Sequence, residues 1–467
     1  MEFLTVPATA ATLISALAAG ASYMVYRRFT HQPSWPKVKQ NCAYTQKVSP
    51  KKKKIQLALN SLEDFSPIGK IVPVHDVPAF FTSHGNEFSV YSVDWEQEAV
   101  VLIKPTDGTD MKKHAFFREA QRRNATEVLV IPFEHLQAVV DAISDRIAHV
   151  QEVFVYMTAR CGSTLLTRAV EATSVAQACS EPEVLDTICL EIVRSGRHSE
   201  NSSSYHTAQV PAIVMNDATS VALLKNVVSM LNYNLVTSDH RHRSIIFYKL
   251  QGRPVLAADT MHRAFPTAKT VFLYRNGLEF YESWTRLWYR YQLVYKTARF
   301  AVRLGLWRWV PAVPQDFRIF VDYLKSSTVR YHGSYYHCVV ARWLGAIKRA
   351  VELQQKYPGY FFHATVYYTA LVRDKQGTLG LIMKKLGIEW DPENQEEERN
   401  RVKRVFVEDS QSGTFLSHRS NEPGEKWAPC TSPAWIGEWE REYLSHVCRE
   451  TGNDVPGPDI ILPDSIV

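Results

Sequence analysis

Four apolar runs in this chain each lead into a residue that could bind or move an anion. Val153-Phe154-Val155-Tyr156-Met157 runs into Thr158-Ala159-Arg160-Cys161-Gly162-Ser163-Thr164. Residues 175–179 run into Ser180-Glu181-Pro182, residues 244–248 end at Lys249, and residues 270–274 end at Arg275. A glycine turn between a strand and a helix lets backbone N–H groups converge at the positive end of the helix dipole, a cradle suited to phosphate. The nucleoside-triphosphatase signature needs a first glycine and a lysine that this loop lacks. No Mg²⁺-holding Asp ends a later strand either. ATP hydrolysis is disfavoured, and binding of a phosphorylated nucleotide is not.

The second segment is Lys269-Thr270-Val271-Phe272-Leu273-Tyr274-Arg275, with Ser283 eight residues beyond Arg275 in the helix expected to follow. A guanidinium and a hydroxyl so arranged can share one dianionic phosphate, because arginine binds it as a planar fork. The plainer alternative is an arginine–carboxylate pair at a strand end with Ser283 as a filler.

Taken together the two segments resemble the sulfotransferase family, which uses 3′-phosphoadenosine 5′-phosphosulfate. Residues 160–164 look like its 5′-phosphosulfate loop in the arginine-containing form of the carbohydrate and Golgi-type members. The stretch from Phe265-Pro266 to Ser283-Trp284 looks like its 3′-phosphate motif, and Ser180-Glu181-Pro182 is similar to a Glu-Pro found in many Golgi-type members. The likeness covers residues 151–290 well and 355–425 loosely. It implies a P-loop-type three-layer fold. It also implies that Arg160, Cys161, Gly162, Ser163 and Thr164 hold the 5′-phosphosulfate, that Arg275 and Ser283 hold the 3′-phosphate, and that Lys249 lies near the transferring group. No metal is needed in that chemistry. The chain departs from the family at Gln251, where cytosolic members carry a catalytic histidine, and in lacking the Arg-Lys-Gly cofactor motif, for which Arg419 is the nearest equivalent. Glu181 becomes the candidate base, alongside the plainer reading of a cap or ion-pair residue. The acceptor would be a hydroxyl, on a carbohydrate among other candidates.

The elements that must position these residues follow from the pattern. Apolar strands alternating with helical stretches give βαβ units and a central parallel sheet, so the class is α/β. Such a sheet binds its ligand at the carboxyl ends of its strands, where Arg160, Glu181, Lys249 and Arg275 all fall. Residues 60–150 mix strand-like runs at 88–93, 100–103 and 128–131 with a charged helix near 112–123, a small N-terminal α+β region. The division expected is a transmembrane segment at 1–30, a basic linker at 31–59, the small region at 60–150, the P-loop domain at 151–450 and a tail at 451–467.

Composition limits the alternatives. Hydrophobic residues make up 45 % and charged residues 22 % of 467, which provides for a full core. The formal net charge is +6, and nine Lys/Arg against Glu2 in residues 1–60 give +8, leaving −2 for residues 61–467. The folded part is therefore no nucleic-acid binder by charge. Residues 3–26 carry no charged side chain and suffice in length to cross a bilayer as a helix. The cations after this stretch place the bulk of the chain in the cytosol by the positive-inside rule. Resemblance to Golgi-type members points instead to the Golgi lumen, to which the reading leans. Seven cysteines lack metal-ligand spacing, and no metal is expected. Residues 284–310 interleave aromatics with cations; the expectation is an amphipathic helix with aromatics packed inward and basic heads outward, and the alternatives are a cleft for an anionic glycan or a face on a membrane surface. The competing functions are a catalytically inactive nucleotide-binding protein and a small-molecule kinase of the P-loop class.

Overall fold

A computed structural model describes residues 35, 42–52, 59–198, 216–289, 291–306, 315–326, 328–332, 334–359, 361–390, 396–407, 434–451 and 455–467. Two sheets organise it. The first holds β1 (Ala43–Pro50), β2 (Phe65–Val74), β3 (Ser89–Asp94), β4 (Ala99–Pro105) and β5 (Ala125–Pro132) in the order β2-β1-β5-β4-β3, all antiparallel. The second holds β6 (Gln151–Met157), β7 (Ala176–Ser180), β8 (Ile245–Lys249), β9 (Lys269–Tyr274), β10 (Ala364–Tyr367) and β11 (Ser465–Ile466) in the order β11-β10-β9-β6-β8-β7, all parallel.

The parallel sheet is buried on both faces, as its apolar runs require. Alternate residues of β6 point to opposite faces. Phe154 and Tyr156 join a core with Tyr248, Phe272 and Trp343, while Val153, Val155 and Met157 join another with Leu165 and Leu166 of helix Ser163–Glu171. The chain leaves β6 toward β7 on one side and later returns to β9 on the other. That reversal opens a crevice outside the carboxyl end of β6.

The antiparallel sheet packs Val90, Val100, Leu102, Leu129 and Ile131 into the same core as Phe154 and Tyr156. Its other face closes over Tyr44, Phe65, Tyr91 and Val101. Two expected boundaries are corrected here. The stretch expected to be linker contains β1, an interior strand of the first sheet, so the small region begins before residue 60. The stretch expected to be a tail supplies β11, which is docked because Tyr274 Oη lies 2.8 Å from Ser465 Oγ and accepts from the Leu462 amide at 2.8 Å.

The expected membrane segment at 1–30 and Arg419 lie outside the described residues. Among the described residues no helix is long and apolar enough to cross a membrane, and no group of three or more His, Cys, Asp or Glu could hold a metal ion.

Candidate active site

All strands of the second sheet run the same way, so the residues closing β6, β7, β8 and β9 share one edge. The loop after β6 turns sharply. Ala159, Arg160 and Gly162 have φ of 67°, 52° and 79°. Only glycine takes such a conformation without strain, so the two non-glycine residues store it at the site. A Cβ on Gly162 would also meet Leu371 at 3.0 Å and Tyr368 at 3.1 Å. Gly162 is the N-cap of helix Ser163–Glu171 and offers no side-chain cap, which leaves the first-turn N–H groups facing the loop. Cys161 is buried, and burial pushes its thiol up against the opposing charges of Arg275 and Lys249.

The two motif segments, 115 residues apart, meet directly. Arg275 donates through Nη1 to the Arg160 carbonyl at 2.8 Å. Arg160 in turn donates through Nε to Ser283 Oγ at 3.1 Å, bringing in helix Gly277–Tyr289. Arg275 is buried and fixed on several sides. Its Nη2 lies 3.0 Å from Glu279 Oε2, its guanidinium lies 4.1 Å from the centre of the Tyr368 ring, and its carbonyl accepts from Trp343 Nε1 at 2.9 Å. Burial raises the Glu279 carboxyl although Arg275 opposes it.

On the β7–β8 side, Lys249 is buried with its ammonium between two segments. It donates to Glu181 Oε1 at 2.7 Å and to Thr164 Oγ1 at 2.8 Å. The Glu181 amide donates to the Lys249 carbonyl at 2.8 Å, so the two turns are tied by backbone as well, and Glu181 takes a φ of 59°. Burial pushes the Glu181 carboxyl up, but Lys249 and then Arg118 outweigh it and hold it below the usual carboxylate range. The partners that hold Glu181 ionised are Lys249 and Arg118, and Arg160 donates to Ser283.

Several residues here escaped the sequence reading. Arg118 comes from helix Phe117–Asn124 of the antiparallel unit, lies 3.6 Å from Glu181 and donates to Glu183 at 2.7 Å. The Phe116 ring lies 5.2 Å below the Lys249 ammonium, and the Asn60 amide donates to Glu183 at 2.9 Å. Asp186 pairs with Arg253, and its carboxyl is pushed up to about 6 by burial, against the pull of Arg253. Arg342 stands over Trp284 at 4.9 Å, its charge disfavoured by burial and by Arg253. Four cations thus face three carboxylates, Glu181, Glu183 and Asp186, and the excess of positive charge suits an anionic occupant. Arg118 had no separate signal, since its helix reads as a charged solvated face. Tyr368 follows β10 and could have been sought at a fifth strand end.

No family model matches this chain, and no curated protein matches it. Among solved structures it is similar to a sulfotransferase domain from the curacin biosynthetic pathway, at 15 % identity and a TM-score of 0.32 over 57 % of this chain and 83 % of that one. It is similar to a sulfotransferase from Mycobacterium avium at 11 % identity and 0.30, over 58 % and 72 %. A sulfotransferase from Mycobacterium tuberculosis H37Rv matches at 14 % identity and 0.29, over 60 % and 84 %. Likenesses this slight leave the function to be argued from the site itself.

Proposed function

We propose that the chain is a sulfotransferase that moves a sulfuryl group from 3′-phosphoadenosine 5′-phosphosulfate to an acceptor hydroxyl. The observation that carries this reading is the chain of contacts Ser283–Arg160–Arg275. It joins a glycine turn without a side-chain cap to a strand-end guanidinium and a helix hydroxyl in one crevice. A ligand with phosphate at both ends of an adenosine fits such a pair of anion sites. The residues present suit that group: the first helical turn after Gly162 has no side-chain cap, and the excess of cations favours a polyanion over a neutral ligand.

In this reading Arg160, Gly162, Ser163 and Thr164 hold the 5′ end, with Cys161 packed beneath, and Arg275 and Ser283 hold the 3′-phosphate. When bound, the donor supplies the sulfuryl group and a bisphosphate leaving group. Glu181 is ionised and accepts the proton of the acceptor hydroxyl. Lys249 links Glu181 to Thr164, so an anion in the loop competes with Glu181 for the ammonium. That competition weakens the interaction holding the carboxyl low and makes it a better base when the donor is in place. Arg160 and Lys249 stabilise negative charge as it builds on the transferring and leaving oxygens, which is the main demand of such a transfer.

The test is release of 3′,5′-adenosine bisphosphate from the donor in the presence of hydroxyl acceptors, carbohydrates included. Arg160→Ala should abolish release and Glu181→Gln should reduce it by about a hundredfold or more. Unchanged turnover in Arg160→Ala removes that residue from the mechanism. Bisphosphate binding without any turnover would make the chain a binding protein.

A further inference from the structure

Helix Gln292–Arg303 turns inward a face that its sequence does not advertise. Tyr295 and Val302 are buried, and Tyr295 Oη donates to Glu440 Oε1 at 2.6 Å. Arg299 Nη1 donates to the same oxygen at 2.9 Å. The opposite stripe is Leu293, Thr297, Phe300 and Leu304, at the helical spacings i, i+4, i+7 and i+11. Leu293 is 76 %, Phe300 63 % and Leu304 60 % exposed. The Thr297 hydroxyl donates to the Leu293 carbonyl at 3.0 Å, which leaves its methyl as the outward feature. The expectation of inward aromatics and outward bases holds at Tyr295, Lys296 and Arg303 and fails at Phe300, which is exposed, and at Arg299, which turns to Glu440. Scattered exposed apolar side chains are ordinary, but a contiguous stripe marks a surface that meets something.

Charge says what. Lys296 and Arg303 are exposed beside the stripe, and no acid occurs in the sequence between Glu282 and Asp316. An apolar stripe edged by cations, on a helix with no carboxylate of its own, is complementary to the interface of an anionic lipid layer. The sequence also carries the uncharged stretch 3–26, and the 16 residues between it and β1 can reach at most about 55 Å. If that stretch spans a bilayer, as its length and lack of charge lead one to expect, it keeps this helix at high local concentration beside one. The helix surface does not depend on it.

We propose that Leu293, Phe300 and Leu304, with Lys296 and Arg303 beside them, lie in the interface of an anionic membrane. The test uses the full chain mixed with vesicles of phosphatidylcholine, alone or with phosphatidylserine, and with brominated acyl chains as quenchers. A fluorophore is placed at Leu293→Cys, and a control fluorophore at Val407→Cys, on an exposed helix end elsewhere. Quenching is expected at position 293 and not at 407, stronger with phosphatidylserine and lost at high salt. Phe300→Asp should weaken it by about tenfold or more, and Lys296→Glu with Arg303→Glu should remove the preference for phosphatidylserine. Equal quenching at both positions, or none at 293, overturns the proposal. So does a label at 293 that is already shielded in water, which would mean that another part of the chain covers the stripe. Shielding that grows with protein concentration would mean that a second copy does, and would overturn it equally.

Discussion

Replacing Lys249 by Met tests how Glu181 is held. The ammonium lies 2.7 Å from Glu181 Oε1 and the next cation, on Arg118, is 3.6 Å from Oε2. Both members of the pair are buried. Removing one partner of a buried ion pair costs about 3–5 kcal/mol, and because Arg118 remains, Lys249→Met should fall near about 3 kcal/mol. Glu181→Gln strands the lysine against Thr164 and the Phe116 ring and should cost a similar amount. The double variant has neither charge to leave uncompensated and should cost only about 2 kcal/mol. The coupling is then about −4 kcal/mol, far outside the additivity of independent sites. Urea unfolding of the full chain, followed by tryptophan fluorescence and by amide exchange in β8, reads these values. The sign with pH is also fixed. The folded Glu181 carboxyl lies below its unfolded value. Its contribution is therefore complete above that unfolded value, about pH 4.3, and is lost as pH falls through the folded one. The double variant should lack this limb. Coupling smaller than about 1 kcal/mol would refute the account of Glu181 as a carboxylate held by Lys249.

Gly162→Ala must take a φ of +79° and move Leu371 or Tyr368 by a few tenths of an ångström. We expect a loss of about 1–3 kcal/mol in thermal unfolding together with loss of bisphosphate binding. Asp186 has a folded value of about 6, raised above the unfolded one. Its contribution, about 3 kcal/mol, is full below about pH 4 and lost as pH rises through about 6, and Asp186→Asn should flatten that limb of the stability–pH curve. Arg118→Met should slow bisphosphate release from the donor by about tenfold or more while changing bisphosphate affinity by less than about threefold, because Arg118 touches Glu181 and not the loop.

The strands that carry the site were legible because burial on both faces forces an uninterrupted apolar run, as in β6, β8 and β9, and a charged residue or polar loop marks where each ends. Their ends shift by only a few residues between sequence and structure. β2 was not legible. It carries Pro67 and Pro73 and reads as loop, yet proline is tolerated there because β2 is an edge strand. β1 was hidden by its polar residues, among them Gln46, buried and donating through Nε2 to backbone carbonyls at Lys47 and Gly69. The place of Arg118 depends on how the two sheets pack, and no local pattern encodes that. In helix Gln292–Arg303 local amphipathicity foresees the inward Tyr295, but not Arg299, which a buried carboxylate, Glu440, draws inward from 141 residues away in sequence.

In the proposed function Arg275 and Ser283 bind a phosphate at the far end of the same adenosine whose other end lies in the glycine turn. Calorimetric titration of the full chain with 3′,5′-adenosine bisphosphate and with 5′-adenosine monophosphate tests it most directly. The bisphosphate is expected to bind about tenfold to a hundredfold more tightly, and Ser283→Ala and Arg275→Lys should each shrink that preference. Equal affinity for the two nucleotides in the unsubstituted chain, or binding of neither, would contradict it.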